Sequence, residues 1–336
     1  MRARDVGLSC GLLPAGEGNT IADVPGVTVG HATLIEGDIR TGVTAILPHG
    51  GDLFRDKVVA AAYVLNGFGK STGLVQLNEL GTLETPILLT NTFSVGTCAN
   101  ALIRRAIVSN PEIGRETSTV NPVVLECNDG YLNDIQAMAV TEAHANTAIE
   151  AAGANFAVGS VGAGTGMSCF GLKGGIGTAS RRLCCDKQAY RIGTVVLANF
   201  GRAGDLRLPD GRRVDPKSSP ASEAGSCIIV VGTDVPLDHR QLGRIARRAG
   251  VGLAWCGSFW GNGSGDITLA FSTAHHVPHH AHRDLIDQRV LAEARIDRLF
   301  QATAEATQEA VLDALAAAGT MVGRNGHRRL GLAELL

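Results

Sequence analysis

The chain has 336 residues, of which 45% are hydrophobic but only 4% aromatic, so it can bury a large core built mainly from small and aliphatic side chains. The formal net charge at pH 7 is −2, and the arginines are scattered rather than clustered. Such a surface has no strong attraction for nucleic acids or anionic lipids, so neither is an expected partner. We interpret the chain as one globular domain.

Targeting and membrane signals are weak. The first twenty residues carry Arg2 and Arg4 but lack the continuous apolar region of a secretion signal. No later stretch reaches the ~18 uncharged apolar residues of a membrane span. The expected location is the cytoplasm, with no membrane partner.

The first half of the chain alternates between short β-branched runs and helical patterns. Strands are predicted at residues 27–29, 41–47, 87–89 and 123–125, and helices at 98–108 and 135–152. Residues 58–66 fit a helix or another buried segment. The predicted strand at 123–125 is followed by a polar cluster at residues 126–134. Functional residues are often found at the end of a strand, so this cluster is a candidate site.

The second half opens with a glycine-dense loop over residues 159–177 and a strand at 194–198. Residues 202–225 are polar, rich in Pro, Gly and Ser, and without a period, which predicts a lid, a linker or a processed segment. Strands then follow at 226–231, 251–256 and 267–272, a turn at 261–266, and helices at 237–249, 284–300 and 303–318. Blocks of strands and helices in this order favour sheets packed on sheets with helices outside.

The junction between Gly225 and Ser226 joins the polar segment directly to an apolar strand. A hydroxyl at this point could attack the preceding carbonyl, and the resulting ester could be hydrolysed to free Ser226 as a new amino terminus. Gly225 would not obstruct the attack because it has no Cβ. A free α-amine, with a pKa of about 7.7–8.0, could then serve as the base for its own hydroxyl. A simple strand entrance is the commoner explanation of a Gly-Ser pair.

Several spaced motifs resemble the DmpA/BapA-type aminopeptidases, which include β-peptidyl aminopeptidases and D-Ala esterase/amidases. They cover nearly the whole chain in the order expected of that family. The motifs lie at residues 23–27, 126–134, 162–167, 173–180, 198–201, 225–234, 264–266 and 269–273.

The resemblance implies an α+β fold, specifically a four-layer αββα sandwich in one domain spanning residues 1–336. It also implies self-cleavage into chains 1–225 and 226–336, and a homo-oligomer of such pairs. The implied activity is removal of amino-terminal residues from small peptides, amides or esters through an acyl-enzyme on Ser226. No cofactor or metal is implied.

The resemblance further assigns site residues. Ser226 matches the nucleophile, Ser264 and Asp266 its supporting residues, Asn199 the amide that stabilises an oxyanion, and Tyr131 a residue lining the acyl site. Residues i and i+2 of an extended segment point to one side, so Ser264 and Asp266 could face the same pocket. By themselves, Asp266 and Asn199 could equally be turn residues, and Tyr131 a packing residue.

An aminopeptidase needs a carboxylate for the substrate ammonium group. Glu126 and Asp129 are the nearest candidates, and either could instead cap the helix that follows. The sequence does not choose between them.

Two conspicuous motifs are given other roles. The glycine-dense loop lacks the Lys-Ser or Lys-Thr ending of a phosphate loop, and Lys173 comes too late, so we interpret it as a tight loop near the active site. Five histidines lie from His275 to His282, but Pro278 breaks helical pairing and no cysteine or carboxylate completes a metal site nearby. We expect solvated loop histidines there and no metal.

Three alternatives stay open. A Ser-His-Asp arrangement would need His239 or His327 near a serine. A related amide hydrolase or an ornithine-type acyltransferase could use a similar fold, although the enzymes of those two groups carry Thr, not Ser, as the nucleophile. The chain could also be an unprocessed binding protein that keeps the scaffold.

Overall fold

A computed structural model describes residues 1–216 and 224–336, which form five α-helices and sixteen β-strands. The helices are α1 (Leu74–Leu80), α2 (Val95–Ser109), α3 (Glu142–Glu150), α4 (His239–Trp255) and α5 (Asp297–Ala317). The strands are β1 (Thr28–Glu36), β2 (Ile39–Leu47), β3 (Asp56–Gly67), β4 (Thr82–Leu83), β5 (Ile87–Asn91), β6 (Val123–Cys127), β7 (Ser168–Cys169), β8 (Leu172–Lys173), β9 (Gly175–Cys185), β10 (Gln188–Asn199), β11 (Leu206–Arg207), β12 (Arg213–Val214), β13 (Ala224–Thr233), β14 (Gly263–Pro278), β15 (Met321–Val322) and β16 (Arg328–Arg329).

Two sheets form the centre of the molecule. The larger has six strands in the order β4-β3-β14-β13-β10-β9, and the smaller has four in the order β1-β2-β5-β6. Neighbouring strands are antiparallel except for the parallel pairs β13/β14 and β5/β6. The junction predicted from sequence therefore lies in the middle of the larger sheet, at the start of β13.

The layer order follows from the alternation of side chains along β13. Ile228 and Val230 pack in a core shared with the smaller sheet, whereas Ile229 and Val231 pack in a second core with α4 and α5. The outer face of the smaller sheet packs on α2 and α3 in a third core. Strand β13 is apolar on both faces because each face is buried against a different layer. The expected α+β sandwich, with helices outside two facing sheets, is confirmed.

Several local predictions were wrong. Residues 251–255 are not a strand but the end of α4, and Cys256 is the C-cap of that helix. Gly252 lies against α5, where an added Cβ would come within 2.5 Å of the Ala304 carbonyl oxygen, so this glycine serves helix packing rather than a turn. Residues 58–66, which the sequence left open between a helix and another buried segment, lie within strand β3. Most of the helix predicted over 284–300 is absent, because residues 284–292 are not helical and Glu293–Arg295 form only a short 3-10 helix. The helix predicted over 303–318 is α5, which already begins at Asp297.

The first part of the polar segment before Ser226 is structured. Strands β11 and β12 pair as a short hairpin, and Leu206 and Val214 from these strands are buried in the core beneath α4 and α5. Residues 217–223 lie outside the described part of the chain. None of the described helices combines the length and the apolar composition that crossing a bilayer demands.

Candidate active site

A cavity of about 360 Å³ opens at the edge where β6, β10 and β13 begin or end. Five of the residues singled out from sequence line it, namely Glu126, Tyr131, Asn199, Gly225 and Ser226. The volume falls within the usual range for small-molecule sites. The fold thus brings together residues that lie up to a hundred positions apart.

Ser226 lies near the start of β13, paired with Asn199 on one side and with Gly265 on the other. Its side chain is almost fully buried, and its Oγ donates a hydrogen bond of 2.6 Å to the carbonyl oxygen of Gly225. An added Cβ on Gly225 would lie 2.0 Å from the Asn199 carbonyl oxygen. Only glycine fits at position 225, where the two strands approach closely. The hydroxyl of Ser226 lies directly beside the peptide bond that precedes it.

The side-chain amide of Asn199 is fixed at both ends. Its Nδ2 donates to the carbonyl oxygen of Asn128 at 2.9 Å, and its Oδ1 accepts from the backbone N–H of Ser168 at 2.8 Å. Nδ2 carries a second hydrogen, for which the described residues provide no acceptor. A fixed N–H at the wall of the cavity, opposite Ser226, can donate to an oxygen bound there.

Ser264 and Asp266 lie on β14, beside Gly225 and Cys227 of the parallel strand β13. Both side chains are fully buried, and Ser264 Oγ donates to Asp266 Oδ1 at 2.9 Å. The two therefore point to one side of an extended strand. The turn predicted over 261–266 was too long, because the strand already begins at Gly263.

Glu126 projects into the cavity from the end of β6, with 2% of its surface exposed. Its Oε1 accepts from the backbone N–H of Lys70 at 2.8 Å, and its Oε2 accepts from the hydroxyl of Thr92. Each carboxylate oxygen has further lone pairs, so the group can also bind a cationic ligand.

Asp129 is buried elsewhere and is not part of the described cavity wall. Its carboxylate accepts hydrogen bonds from Thr41 Oγ1 at 2.6 Å and from Asn133 Nδ2 at 3.0 Å. Burial raises the pKa of Asp129 to about 7, against the lowering effect of those hydrogen bonds. This carboxylate belongs to an internal polar network.

Lys173 explains the glycine-dense loop. Its ammonium is fully buried and donates to the carbonyl oxygens of Gly164, Met167 and Gly174 at 3.0, 3.0 and 2.7 Å. Burial lowers the pKa of Lys173 to about 7, while the negative charge of Asp129 raises it. The loop folds around its own lysine, and this same loop presents Ser168 to the Asn199 amide.

Tyr131 is part of a stack at the cavity rim. Its ring lies parallel to that of His327 with centroids 4.7 Å apart, and the Arg329 guanidinium lies 3.6 Å from its centroid. Arg329 Nε also donates to Ser168 Oγ at 3.2 Å. Sequence reasoning did not propose Arg329 or Ser168, because the short strand β16 carries no motif and is remote from the other site residues in the chain.

Three further wall residues were missed: Phe68, Lys70 and Thr92. Thr92 directly follows strand β5, so its place after a buried strand was a usable signal. Phe68 and Lys70 follow the long strand β3, which sequence reasoning did not distinguish from a helix. No local pattern marks them as site residues.

The histidines do not support a Ser-His-Asp site. His239 Nδ1 contacts the carbonyl oxygen of Ala60 at 2.7 Å, and His327 Nδ1 contacts that of Tyr131 at 2.8 Å. Neither ring has a described contact with Ser226.

The histidine-rich segment is more structured than expected. His275 and His276 belong to β14, and the pairing of β14 with β3 places Asp56 beside His276. His49 stacks on His276, and ligand atoms of the three side chains lie within 4.8 Å of one another. The assumption that no carboxylate is near these histidines was wrong, since strand pairing supplies one. His49 Nε2 and Nδ1 are engaged by the Asp56 carbonyl oxygen and the Gly51 N–H.

Comparison with known proteins supports this fold and identifies the family. The sequence profile of peptidase family S58 matches residues 19–329. A β-peptidyl aminopeptidase, BapA of Sphingosinicella microcystinivorans, is 39% identical over 99% of this chain and 90% of its own. The crystal structure of the PH0078 protein from Pyrococcus horikoshii has a TM-score of 0.95 and 47% identity, covering 99% of this chain and 96% of that one.

A further solved structure is the L-aminopeptidase D-Ala-esterase/amidase of Ochrobactrum anthropi, described as a prototype of the serine aminopeptidases with a variant Ntn-hydrolase fold. It has a TM-score of 0.90 and 35% identity, covering 98% of this chain and 95% of its own. The chain is thus an aminopeptidase-type hydrolase and belongs to peptidase family S58.

Proposed function

We propose that this chain cleaves itself between Gly225 and Ser226 and then uses Ser226 to remove amino-terminal residues from small peptides, amides or esters. The observation that carries the proposal is the contact of 2.6 Å between Ser226 Oγ and the Gly225 carbonyl oxygen, at the wall of a cavity that also contains a buried carboxylate. The hydroxyl is already beside the peptide bond that it would break.

Self-cleavage proceeds by an N-to-O acyl shift. Ser226 Oγ adds to the Gly225 carbonyl carbon, the C–N bond breaks, and the hydroxyl proton passes to the departing amine. Water then hydrolyses the ester, which leaves the Gly225 carboxylate and a free α-amine on Ser226. The products are chains 1–225 and 226–336.

The new amine makes Ser226 its own base. It accepts the hydroxyl proton while Oγ attacks the substrate carbonyl, and that proton then goes to the leaving amine or alcohol. Water hydrolyses the acyl-enzyme and regenerates Ser226. The second N–H of Asn199 donates to the oxyanion formed in each step.

The supporting roles rest on the resemblance together with position. Ser264 and Asp266 form a hydrogen-bonded pair on the strand next to Ser226, on either side of its partner Gly265, and do not line the described cavity. As the resemblance implies, this pair supports the hydroxyl or amine of Ser226. Glu126 binds the substrate ammonium, since it is the carboxylate that lines the cavity. Tyr131 lies at the rim, where it contacts the acyl group. We further propose a homo-oligomer of processed pairs, which the resemblance implies, in the cytoplasm.

The test is a denaturing gel with intact-mass measurement of the purified protein. We expect two fragments, the smaller beginning Ser-Cys-Ile-Ile-Val, and hydrolysis of amino-acid p-nitroanilides. Ser226→Ala should remain one chain and be inactive. Ser272→Ala, which removes a buried hydroxyl further along the adjacent strand, should still cleave. An intact wild-type chain would instead indicate a binding protein, and cleavage with turnover in Ser226→Ala would exclude the proposed nucleophile.

A further inference from the structure

The Arg329 guanidinium lies on the cavity wall, where Tyr131 and Ser168 hold it in place. It is sandwiched against Tyr131, which itself stacks on His327, and its Nε is fixed by Ser168. Burial lowers the pKa of Arg329, so the charged group has lost part of its hydration. Its two terminal nitrogens make no hydrogen bond or ion pair with any described residue. In contrast, the neighbouring Arg328 points away and approaches the Glu334 carboxylate at 3.9 Å.

Charges on the cavity wall are unbalanced. Lys70 also lines it, with its ammonium 4.1 Å from the centroid of the Phe68 ring and no carboxylate partner among the described residues. Glu126 is the one carboxylate on the described wall. If Glu126 binds the substrate ammonium, the wall of the uncleaved chain has no carboxylate left for the two cations, and the Gly225 carboxylate that cleavage creates can compensate only one of them. A ligand that carries an ammonium and a carboxylate would match all three groups.

We propose that Arg329 forms a carboxylate-binding subsite, assisted by Lys70, which selects substrates that carry a free carboxylate as well as a free amine. This inference rests on the proposed aminopeptidase function, in which Glu126 holds the amine. Arginine suits the role because its planar terminal nitrogens can bind both carboxylate oxygens, and stacking on Tyr131 holds that plane in place. The carboxylate comes either from the carboxyl terminus of a dipeptide or from an acidic amino-terminal side chain.

A purely structural Arg329 would behave differently. If it served only to hold Tyr131 and Ser168, its loss would slow every substrate to the same extent. A binding role instead predicts a selective loss, confined to substrates with a carboxylate. The kinetic comparison must therefore use matched pairs of charged and neutral substrates.

The kinetic test measures kcat/KM for release of the first residue from Ala-Ala and Ala-Ala amide, and from Asp and Asn p-nitroanilides. Wild type should prefer the charged member of one pair by roughly tenfold or more, and that pair identifies the source of the carboxylate. Arg329→Gln should abolish the preference, whereas Arg328→Gln should keep it. No preference in the wild type, or an equal loss on all four substrates in Arg329→Gln, would overturn the proposal.

A binding test separates this proposal from the proposed function. N-acetylglycine and its amide have no free amine, so their binding does not require the proposed ammonium site. Saturation-transfer NMR measures this binding without turnover, even if the enzyme hydrolyses none of the test substrates. Wild type and Arg328→Gln should bind N-acetylglycine and not the amide, and Arg329→Gln should bind neither. Equal binding of N-acetylglycine by Arg329→Gln and wild type would refute the subsite.

Discussion

Asn199 lies directly opposite Ser226 in the pairing of β10 with β13, and its side-chain amide is fixed by Asn128 and Ser168. This relationship makes the amide a preorganised donor next to the proposed nucleophile, because no side-chain movement is needed when negative charge develops on a substrate oxygen. Preorganised donors of this kind account for a large part of the rate in other hydrolases.

Replacing Asn199 with Ala should therefore lower kcat by roughly 100- to 1,000-fold. The variant also loses the acceptor for the Ser168 N–H, so some loss of stability is expected. Asn110→Ala is the matched control, since Asn110 is buried and bonded to Asp52 far from the cavity. The control should lose stability and keep its kcat. Similar kcat values for the two variants would argue against an oxyanion role.

Ser264→Ala should slow both self-cleavage and turnover by roughly tenfold or more, because the proposed support of Ser226 loses the hydrogen bond to Asp266 on the strand that pairs with it. Time courses on denaturing gels and p-nitroanilide kinetics measure the two effects. Ser272→Ala removes an equally buried hydroxyl from the same strand and should leave both rates near wild type. If the two variants behave alike, the Ser264–Asp266 pair has only a structural role.

The two candidate carboxylates can be separated by substitution. Glu126→Gln should lower kcat/KM for alanine p-nitroanilide by roughly 10- to 100-fold, since a charged hydrogen bond to the substrate ammonium is lost. Asp129→Asn should have little effect on this value, because Asp129 is not on the described cavity wall. Propionyl p-nitroanilide lacks the amine and should be insensitive to either change. A larger effect of Asp129→Asn would reverse the assignment.

Asp129 should also make folding stability depend on pH. Its pKa is about 7 in the folded chain, against an ordinary value of 3.8. Between these pH values the folded chain holds a proton that the unfolded chain has released, so the contribution of Asp129 to the free energy of unfolding falls as pH rises. Below 3.8 and above 7 the contribution is constant, and Lys173 stays protonated in both states up to about 7.

Urea unfolding from pH 4 to 7 measures this effect, in a Ser226→Ala background that keeps one chain. The stability of the parent relative to Asp129→Asn should decrease steadily across that range. Parallel stability curves for the two proteins would show that Asp129 is ionised in the folded state.

Local sequence predicted elements well where one residue pattern has one explanation. The run from Ser226 to Val231 is apolar on both faces, which a central strand between two cores requires, and the structure has a strand there. Prediction failed at 251–256, where small and apolar residues suit a buried helix as well as a strand. The helical conformation of this segment depends on its contact with α5, against which Gly252 packs.

The sequence by itself determined the family, through the resemblance of its spaced motifs, and the layered fold, because both depend on residue order along the chain. Cleavage between Gly225 and Ser226 stays a prediction from the same motifs. Only the tertiary structure decided which carboxylate faces the cavity, that Lys173 is an internal support, and that Arg329 reaches the wall. These outcomes depend on which side of a sheet each residue occupies and on contacts between distant segments. Such contacts arise when the two sheets and the carboxy-terminal hairpin close around one space, and no local pattern encodes them.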